Sequence, residues 1–260
     1  MPLQHLHKAV RARVFPEPNF SYMRKNGGLI MASWRFCLHL AAPIILPEIG
    51  PLTLDTALIW MSLADQGGPL RQPNRDQWIE SPALPLQRDP VSGLWALSSV
   101  WFPDPGVYSA NLGYRTSGNS GFQFESVSVF AAKDDGSGPF RSATYDLSAW
   151  YTPRLVFDAE IPEESFDIFL GLLRRLAALG VGRKTAAGYG AIHHIDPPQR
   201  LQRSAVWDHG RPRRPIPVTA IRQPLDAPII AYQVKGPRWS GPATPCYVPD
   251  PLTWRPIPVL

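Results

Sequence analysis

Between Leu172 and Ile195 an amphipathic helix, a glycine-rich basic loop and a short strand follow one another without a break, and that succession constrains the fold more than any other part of the chain. Phe166, Phe169, Leu170, Leu173, Leu176 and Ala177 recur at helical spacing. Glu163, Glu164 and Asp167 stand at the front, where acidic groups meet the positive end of the helix dipole, and Arg174 and Arg175 fall toward the other end. Gly180 is the expected stop, because the residue past a helix often takes a left-handed conformation that glycine adopts freely. The loop then reads GVGRKTAAGYG from Gly180 to Gly190, and Tyr189, Ala191, Ile192 and Ile195 read as a strand.

Glycines 180, 182, 188 and 190 remove side-chain obstruction, so the loop is expected to expose backbone N–H groups beside Arg183, Lys184 and Thr185, an arrangement suited to phosphates. Two familiar phosphate loops fail on spacing. A Walker loop needs a glycine immediately before the lysine and a helix after it, and a dinucleotide loop needs G-x-G-x-x-G opening a helix. Here the loop follows a helix, which argues against nucleotide hydrolysis.

Helix, glycine-rich basic loop and strand together resemble the C-terminal signature of the RAMP superfamily, the RNA-binding subunits of CRISPR effector complexes. Further pieces are similar to the Cas-five-like (Csf-three type) subunit of type IV systems: Trp34 to Leu40 with Pro43 and Ile44, the run Pro51 to Trp60, Gly138-Pro139-Phe140-Arg141, Thr152 to Phe157, and Cys246-Tyr247-Val248-Pro249. The resemblance spans most of residues 33 to 250. It implies a ferredoxin-like α+β core and a non-catalytic subunit that caps the 5′ handle of a guide RNA (crRNA). It also implies a place beside a Cas-seven-like backbone subunit and a large subunit, near target DNA. The RNA-binding residues expected are Gly180, Gly182, Arg183, Lys184, Thr185, Gly188, Tyr189, Gly190 and His193, with Arg115, Arg141, Lys235, Arg238 and Trp239 in support.

Charge agrees with a polyanionic partner. The chain carries a net charge of +5, and from Arg200 onward nine Lys and Arg residues, among them Arg203, Arg211 and Arg213, face only Asp208, Asp226 and Asp250. The plain alternative for any one of these arginines is a solvated surface. Cys37 and Cys246 form neither a C-x-x-C motif nor a disulfide framework, so a reducing cytoplasm is expected. No run of about 18 apolar residues exists, so no membrane span is expected. His5 and His7 could meet on a flexible arm, but no Cys, His or carboxylate cluster has ligand spacing, so neither metal nor cofactor is expected.

Three segments follow from texture: a basic extension over residues 1–32, a ferredoxin-like core with insertions over 33–196, and a proline- and arginine-rich segment over 197–260 packed on that core. The extension, with Glu17 its only acid, reads as an arm touching nucleic acid, a disordered segment or an over-called start, Met23 and Met31 being later ones. Within the core, strands are expected over 35–40, 123–131 and 155–159, and a helix capped by Thr53. Asp89 to Gly93 should turn between 84–87 and 94–101, and 104–121 should be loop. Fourteen of the 30 prolines lie beyond Ile195, which leaves Ile229 to Val234 as the one plausible strand there. His193 and His194 are adjacent, so on a strand they should point to opposite faces and not share a site. A single histidine acting as general base would give the alternative function, a Cas-six-like endonuclease of precursor guide RNA. The third reading is a ferredoxin-like protein with no RNA role.

Overall fold

The computed structural model describes residues 31–47, 50–65, 83–115, 143–183, 185, 188–234 and 243–258, with backbone alone at 31 and over 64–65, 109–115 and 143–148. The chain is a mixture of helices and several antiparallel sheets, an α+β protein.

Strand β1 (Met31–Leu40) is the axis of the principal sheet. It opens inside the stretch assigned to the N-terminal extension, with Ala32 buried. Along one edge it pairs with β5 (Arg154–Pro162) over nine register pairs, from Met31 opposite Pro162 to His39 opposite Arg154. Along the other edge it pairs first with β6 (Ile192–Ile195) and then with β7 (Gln199–Leu201). All of these pairings are antiparallel, in the order β5-β1-β6. Pro197 and Pro198 stand between β6 and β7, and since proline donates no ladder hydrogen bond, the edge breaks there.

Period-2 alternation in β1 decides what each face does. Phe36, Leu38 and Leu40 point into the main core, whereas Arg35, Cys37 and His39 point the other way. Two helices cover the apolar face: α1 (Asp55–Asp65) through Leu58, Ile59 and Met61, and α2 (Phe166–Leu179) through Phe169, Leu172, Leu173 and Leu176. Phe36 stacks on Phe157 at 5.1 Å and meets Phe169 at the same distance. α2 ends at Gly180, whose φ of 83° and N–H bond to the Leu176 carbonyl make the left-handed stop expected of it.

A second sheet runs β2-β4-β3, from β2 (Ile44–Ile45), β3 (Val107–Arg115) and β4 (Ala143–Tyr151). The loop expected over 104–121 is therefore corrected: nine register pairs with β4 hold 107–115 extended. Asparagine and glycine in this stretch suggest loop locally, but the pairing with a partner some thirty residues on outweighs them. The strand expected over 123–131 lies outside the described residues. Asp89 to Gly93 does turn, with Gly93 N–H on the Asp89 carbonyl, and its flanks are joined by one bridge, Arg88 with Trp95, and by the Asp89 N–H on the Leu94 carbonyl and the Ala96 N–H on the Gln87 carbonyl. Residues 96–101 instead lie along the outer edge of β5, bridging Leu97 to Ala159 and Trp101 to Val156.

Beyond Ile195 the sequence suggests one strand, and six occur among the described residues. Besides β7 these are β8 (Trp207–Asp208), β9 (Arg211–Pro212), β10 (Ile216–Pro217), β11 (Ile229–Tyr232) and β12 (Thr244–Tyr247). Prolines limit their length without forbidding them. β8 and β9 form a hairpin through His209 and Gly210, at φ 46° and 76°, the positive pair that a tight two-residue turn requires. A short helix, α3 (Pro251–Trp254), is capped by Asp250, which accepts the Leu252 N–H.

One buried ion pair ties this segment to the core. Arg214, 1% exposed, sets Nη2 2.7 Å from Asp55 Oδ2 at the start of α1 and donates Nη1 to the Trp95 carbonyl. Thr53 is not the cap: its Oγ1 lies 3.4 Å from Tyr232 Oη, and Asp55 Oδ1 accepts the Thr56 N–H. Removing one partner of a buried pair typically costs about 3–5 kcal/mol, because the other charge is left uncompensated. Asp55→Ala should lower the unfolding free energy by that amount in urea denaturation, and Asp55→Leu combined with Arg214→Met should recover most of it. A single-variant loss below about 1 kcal/mol, the range of exposed pairs, would show that the pair has no such role.

Candidate functional site

The glycine loop leaves α2 and folds back onto β2. All four glycines take positive φ: Gly180 83°, Gly182 91°, Gly188 87° and Gly190 66°. The amides of Gly180, Gly188 and Gly190 do not point outward as the sequence suggested. Val181 N–H bonds the Gly190 carbonyl, Arg183 N–H the Ile45 carbonyl, Gly188 N–H the Thr185 carbonyl and Gly190 N–H the Pro43 carbonyl, while Gly180 N–H closes α2. Five of the loop's amides are thus committed within the protein and are not offered to a phosphate as the sequence suggested. The glycines serve close packing instead. A Cβ on Gly182 would stand 2.7 Å from the Ile45 carbonyl oxygen, and one on Gly190 only 1.8 Å from that of Val181. Gly188 alone of the four meets open space.

What the loop offers outward is side chains. Arg183 is exposed at its tip, Thr185 is partly buried, and Tyr189 packs against Ile45 and Ala149. Lys184 lies outside the described residues, as do Arg141, Lys235, Arg238 and Trp239. Arg115 ends β3, where the backbone alone is described. His193 lies on β6, exposed and past the loop's exit.

The polar face of β1 gathers residues that sequence spacing keeps apart. His39 Nε2 lies 3.0 Å from Asp196 Oδ1, and His194, the register partner of His39, sets its Nε2 3.2 Å from the same oxygen. Cys37 Sγ joins them: a ligating atom from each of Cys37, His39 and Asp196 lies within 4.8 Å of the others. The His39 ring is 5.2 Å from that of His194 and 5.9 Å from that of His193. Adjacent histidines therefore do approach one site, because the register shift between His39 and Leu40 breaks strict alternation. Burial and then the hydrogen bond with Asp196 push the Cys37 thiol up to about 11, while the His39 and Cys37 hydrogen bonds hold the Asp196 carboxyl below its usual range. Arg154 closes the group, bound bidentately by Asp104 at 2.8 and 2.7 Å, which holds that carboxyl low in turn.

Farther along the same face is a cleft of 610 Å³ between β1, residues 99–102 and the C-terminal segment. Arg35, Arg203, Arg211, Arg213, Trp101 and Trp254 line it, with Asp208 and Asp250. Beneath it lies the Asp158 carboxylate, fully buried on β5. Arg35 binds it bidentately at 3.0 and 3.3 Å, Arg203 approaches to 3.4 Å, and Arg213 donates Nη1 to Oδ2. Three guanidiniums on one carboxylate leave a local excess of two positive charges. Arg35 and Arg213 also lie 5.0 and 4.9 Å from the Trp101 ring centre. Sequence reading counted Arg203, Arg211 and Arg213 as surplus charge and did not single out Arg35, Trp101 or Asp158. The signal available was the alternation Arg35-Cys37-His39 in an otherwise apolar strand.

No family model matches the chain, and no curated protein sequence matches it.

The loop geometry separates two glycines that look equivalent in sequence. An alanine in the left-handed region costs about 1–2 kcal/mol at either position. Gly190→Ala adds an overlap with the Val181 carbonyl, worth a further about 1–3 kcal/mol by the cost of overpacking. Thermal denaturation should place Gly190→Ala clearly below Gly188→Ala, and equal melting temperatures would contradict this account of the loop.

Proposed function

We propose that this chain is a non-catalytic RNA-binding subunit of the Cas-five-like type, capping the 5′ handle of the guide RNA in a type IV CRISPR ribonucleoprotein. The observation that carries the reading is the position of the loop: a basic loop of four positive-φ glycines joins an amphipathic helix to the strand lying beside β1. We take the principal sheet as the core of a ferredoxin-like unit. The order β5-β1-β6, with α1 following β1 and α2 crossing from β5 to β6, supports this. So does the segment 96–101 along the outer edge of β5, where such a unit carries its remaining strand.

RNA is held, in this reading, by side chains presented on a fixed frame. Arg183 and Lys184 neutralise phosphates at the loop, and the polar face of β1 extends the track. From Ala41, beside the loop, to Arg35 in the cleft is six residues, about 20 Å of strand. A sheet face with aromatic and basic side chains is a known platform for unpaired bases, and arginine planes serve the same purpose. Partners in the particle would be the Cas-seven-like backbone subunit and the large subunit, and the capping position would help present the complex to target DNA.

A second reading, the Cas-six-like endonuclease, draws on the meeting of His39, His193 and His194 on this face. It requires one of them as a general base beside the scissile phosphate. Cleavage of naked precursor repeat by the purified chain would favour it. Recovery of intact mature guides with the chain in a multisubunit particle favours the cap.

Arg183→Ala with Lys184→Ala should weaken guide-RNA binding without unfolding the domain, since the polar contacts of an exposed arginine such as Arg183 contribute little to stability. Losing two phosphate contacts on single-stranded RNA should flatten the plot of log affinity against log salt by about 1.4. Unchanged affinity and slope in a filter-binding titration would reject the loop as the RNA site.

A further inference from the structure

We infer that Cys37, His39, His194 and Asp196 form a binding site for one divalent transition-metal ion of the zinc class, clipping β6 to β1. This inference stands apart from the RNA reading, since it rests only on the donor set and its geometry.

The donors come from two hydrogen-bonded strands and are held by backbone pairing. Cys37 and His39 are two apart on β1, so they share a face. His194 is the register partner of His39, and the Asp196 N–H bonds the Cys37 carbonyl at 3.0 Å. Neither pair requires a flexible loop to reach the site.

Two of the donor-donor distances are close to the edges of a tetrahedral site, with His194 brought in through Asp196. With metal bonds of about 2.0–2.1 Å to nitrogen and oxygen, the edges of a tetrahedron are about 3.3–3.4 Å. The two observed edges, from Asp196 Oδ1 to His39 Nε2 and to His194 Nε2, are 3.0 and 3.2 Å. The Cys37 sulfur, within 4.8 Å of the His39 and Asp196 donors, lies within a small side-chain adjustment of the longer edge that a metal–sulfur bond requires.

Charge and softness point the same way. A thiolate, a carboxylate and two neutral imidazoles would balance a dication, the thiol giving up its proton as the ion binds. The Arg154 guanidinium is already matched by Asp104, which leaves less positive charge to repel an ion. One sulfur and two imidazole nitrogens select zinc or cobalt over magnesium or calcium, which prefer oxygen. His39, Asp196 and His194 are 27, 37 and 58% exposed, enough for an ion to enter from solvent.

A structural role follows from the position. β6 has four residues, pairs with β1 through a register shift, and is cut off by Pro197. An ion held by Cys37 and His39 of β1, His194 of β6 and Asp196 just past its end would fix that pairing where the glycine loop returns to the sheet.

The test is cobalt titration of the full chain after chelator treatment. One equivalent should bring up the near-ultraviolet thiolate charge-transfer band and the visible bands of tetrahedral cobalt, and zinc should bleach both. Cys37→Ser should lose the charge-transfer band and weaken zinc binding about tenfold or more, and His39→Ala and His194→Ala should weaken it comparably. Cys246→Ser, altering the buried cysteine outside the cluster, should keep the band. Melting in chelator should be alike for wild type and Cys37→Ser, with zinc raising only the former. Absence of the charge-transfer band in the wild type, or its persistence in Cys37→Ser, would overturn the site and leave a hydrogen-bonded Asp196 shared by two histidines.

Discussion

The Asp158 carboxylate is the interaction around which the polar half of this molecule is arranged. It is wholly buried, and a carboxylate taken out of water costs several kcal/mol unless charge and hydrogen bonds replace its hydration. Arg35 from the adjacent strand and Arg203 and Arg213 from the C-terminal segment supply the replacement. The backbone around it is fixed as well: Ser98 Oγ accepts the Asp158 N–H and the Asp158 carbonyl accepts the Ser98 N–H. Sheet, bridging segment and C-terminal segment therefore meet at one point. The cleft above it is a consequence, because the arginines that satisfy the carboxylate also line the cleft walls.

The same strand serves both halves of the protein. Even-numbered residues of β1 complete a core of Phe157, Phe169 and Leu173, and odd-numbered ones carry Arg35, Cys37 and His39 to the other face. A register slip of one residue would bury the polar set and expose the apolar one, so the hydrophobic face protects the arrangement of the polar face. Glu160 extends the pattern on β5. Burial raises its pKa, and Ser204 and Ala205 at the head of the C-terminal segment donate hydrogen bonds to it. Two acidic residues on one buried strand thus hold successive parts of the segment that follows the sheet.

Legibility in the sequence followed the range of the interaction. α2 and its stop at Gly180 were readable because helical spacing and the left-handed glycine are local. β1 and β5 were readable from their apolar runs. β3 and β4 were not, since Asn111 and Gly113 argue against a strand until the partner ladder is known. The cleft was hidden for the same reason: Arg35, Trp101, Asp158 and Arg213 come from four separated segments. The loop was located correctly and misjudged in its bonding. Ile45 and Pro43, whose carbonyls accept its amides, precede it by more than a hundred residues, and no local pattern announces them.

That bonding changes how the loop can work. A glycine-rich loop with free amides recognises phosphate through directional hydrogen bonds and tolerates loss of a nearby cation. Here five of the loop's amides are bonded to α2, to Pro43 and Ile45 and within the loop itself, which shifts the weight of recognition toward the side chains that this frame presents. Arg183 is carried outward at a fixed place, with its own N–H anchored on Ile45. Attraction to a guanidinium charge is longer in reach than an amide hydrogen bond, and it is screened by salt. A polyanion lying on the sheet face would therefore be positioned mainly by where the frame sets its cations: the loop tip at one end of β1 and the Asp158 arginines toward the other, with the histidine cluster between them.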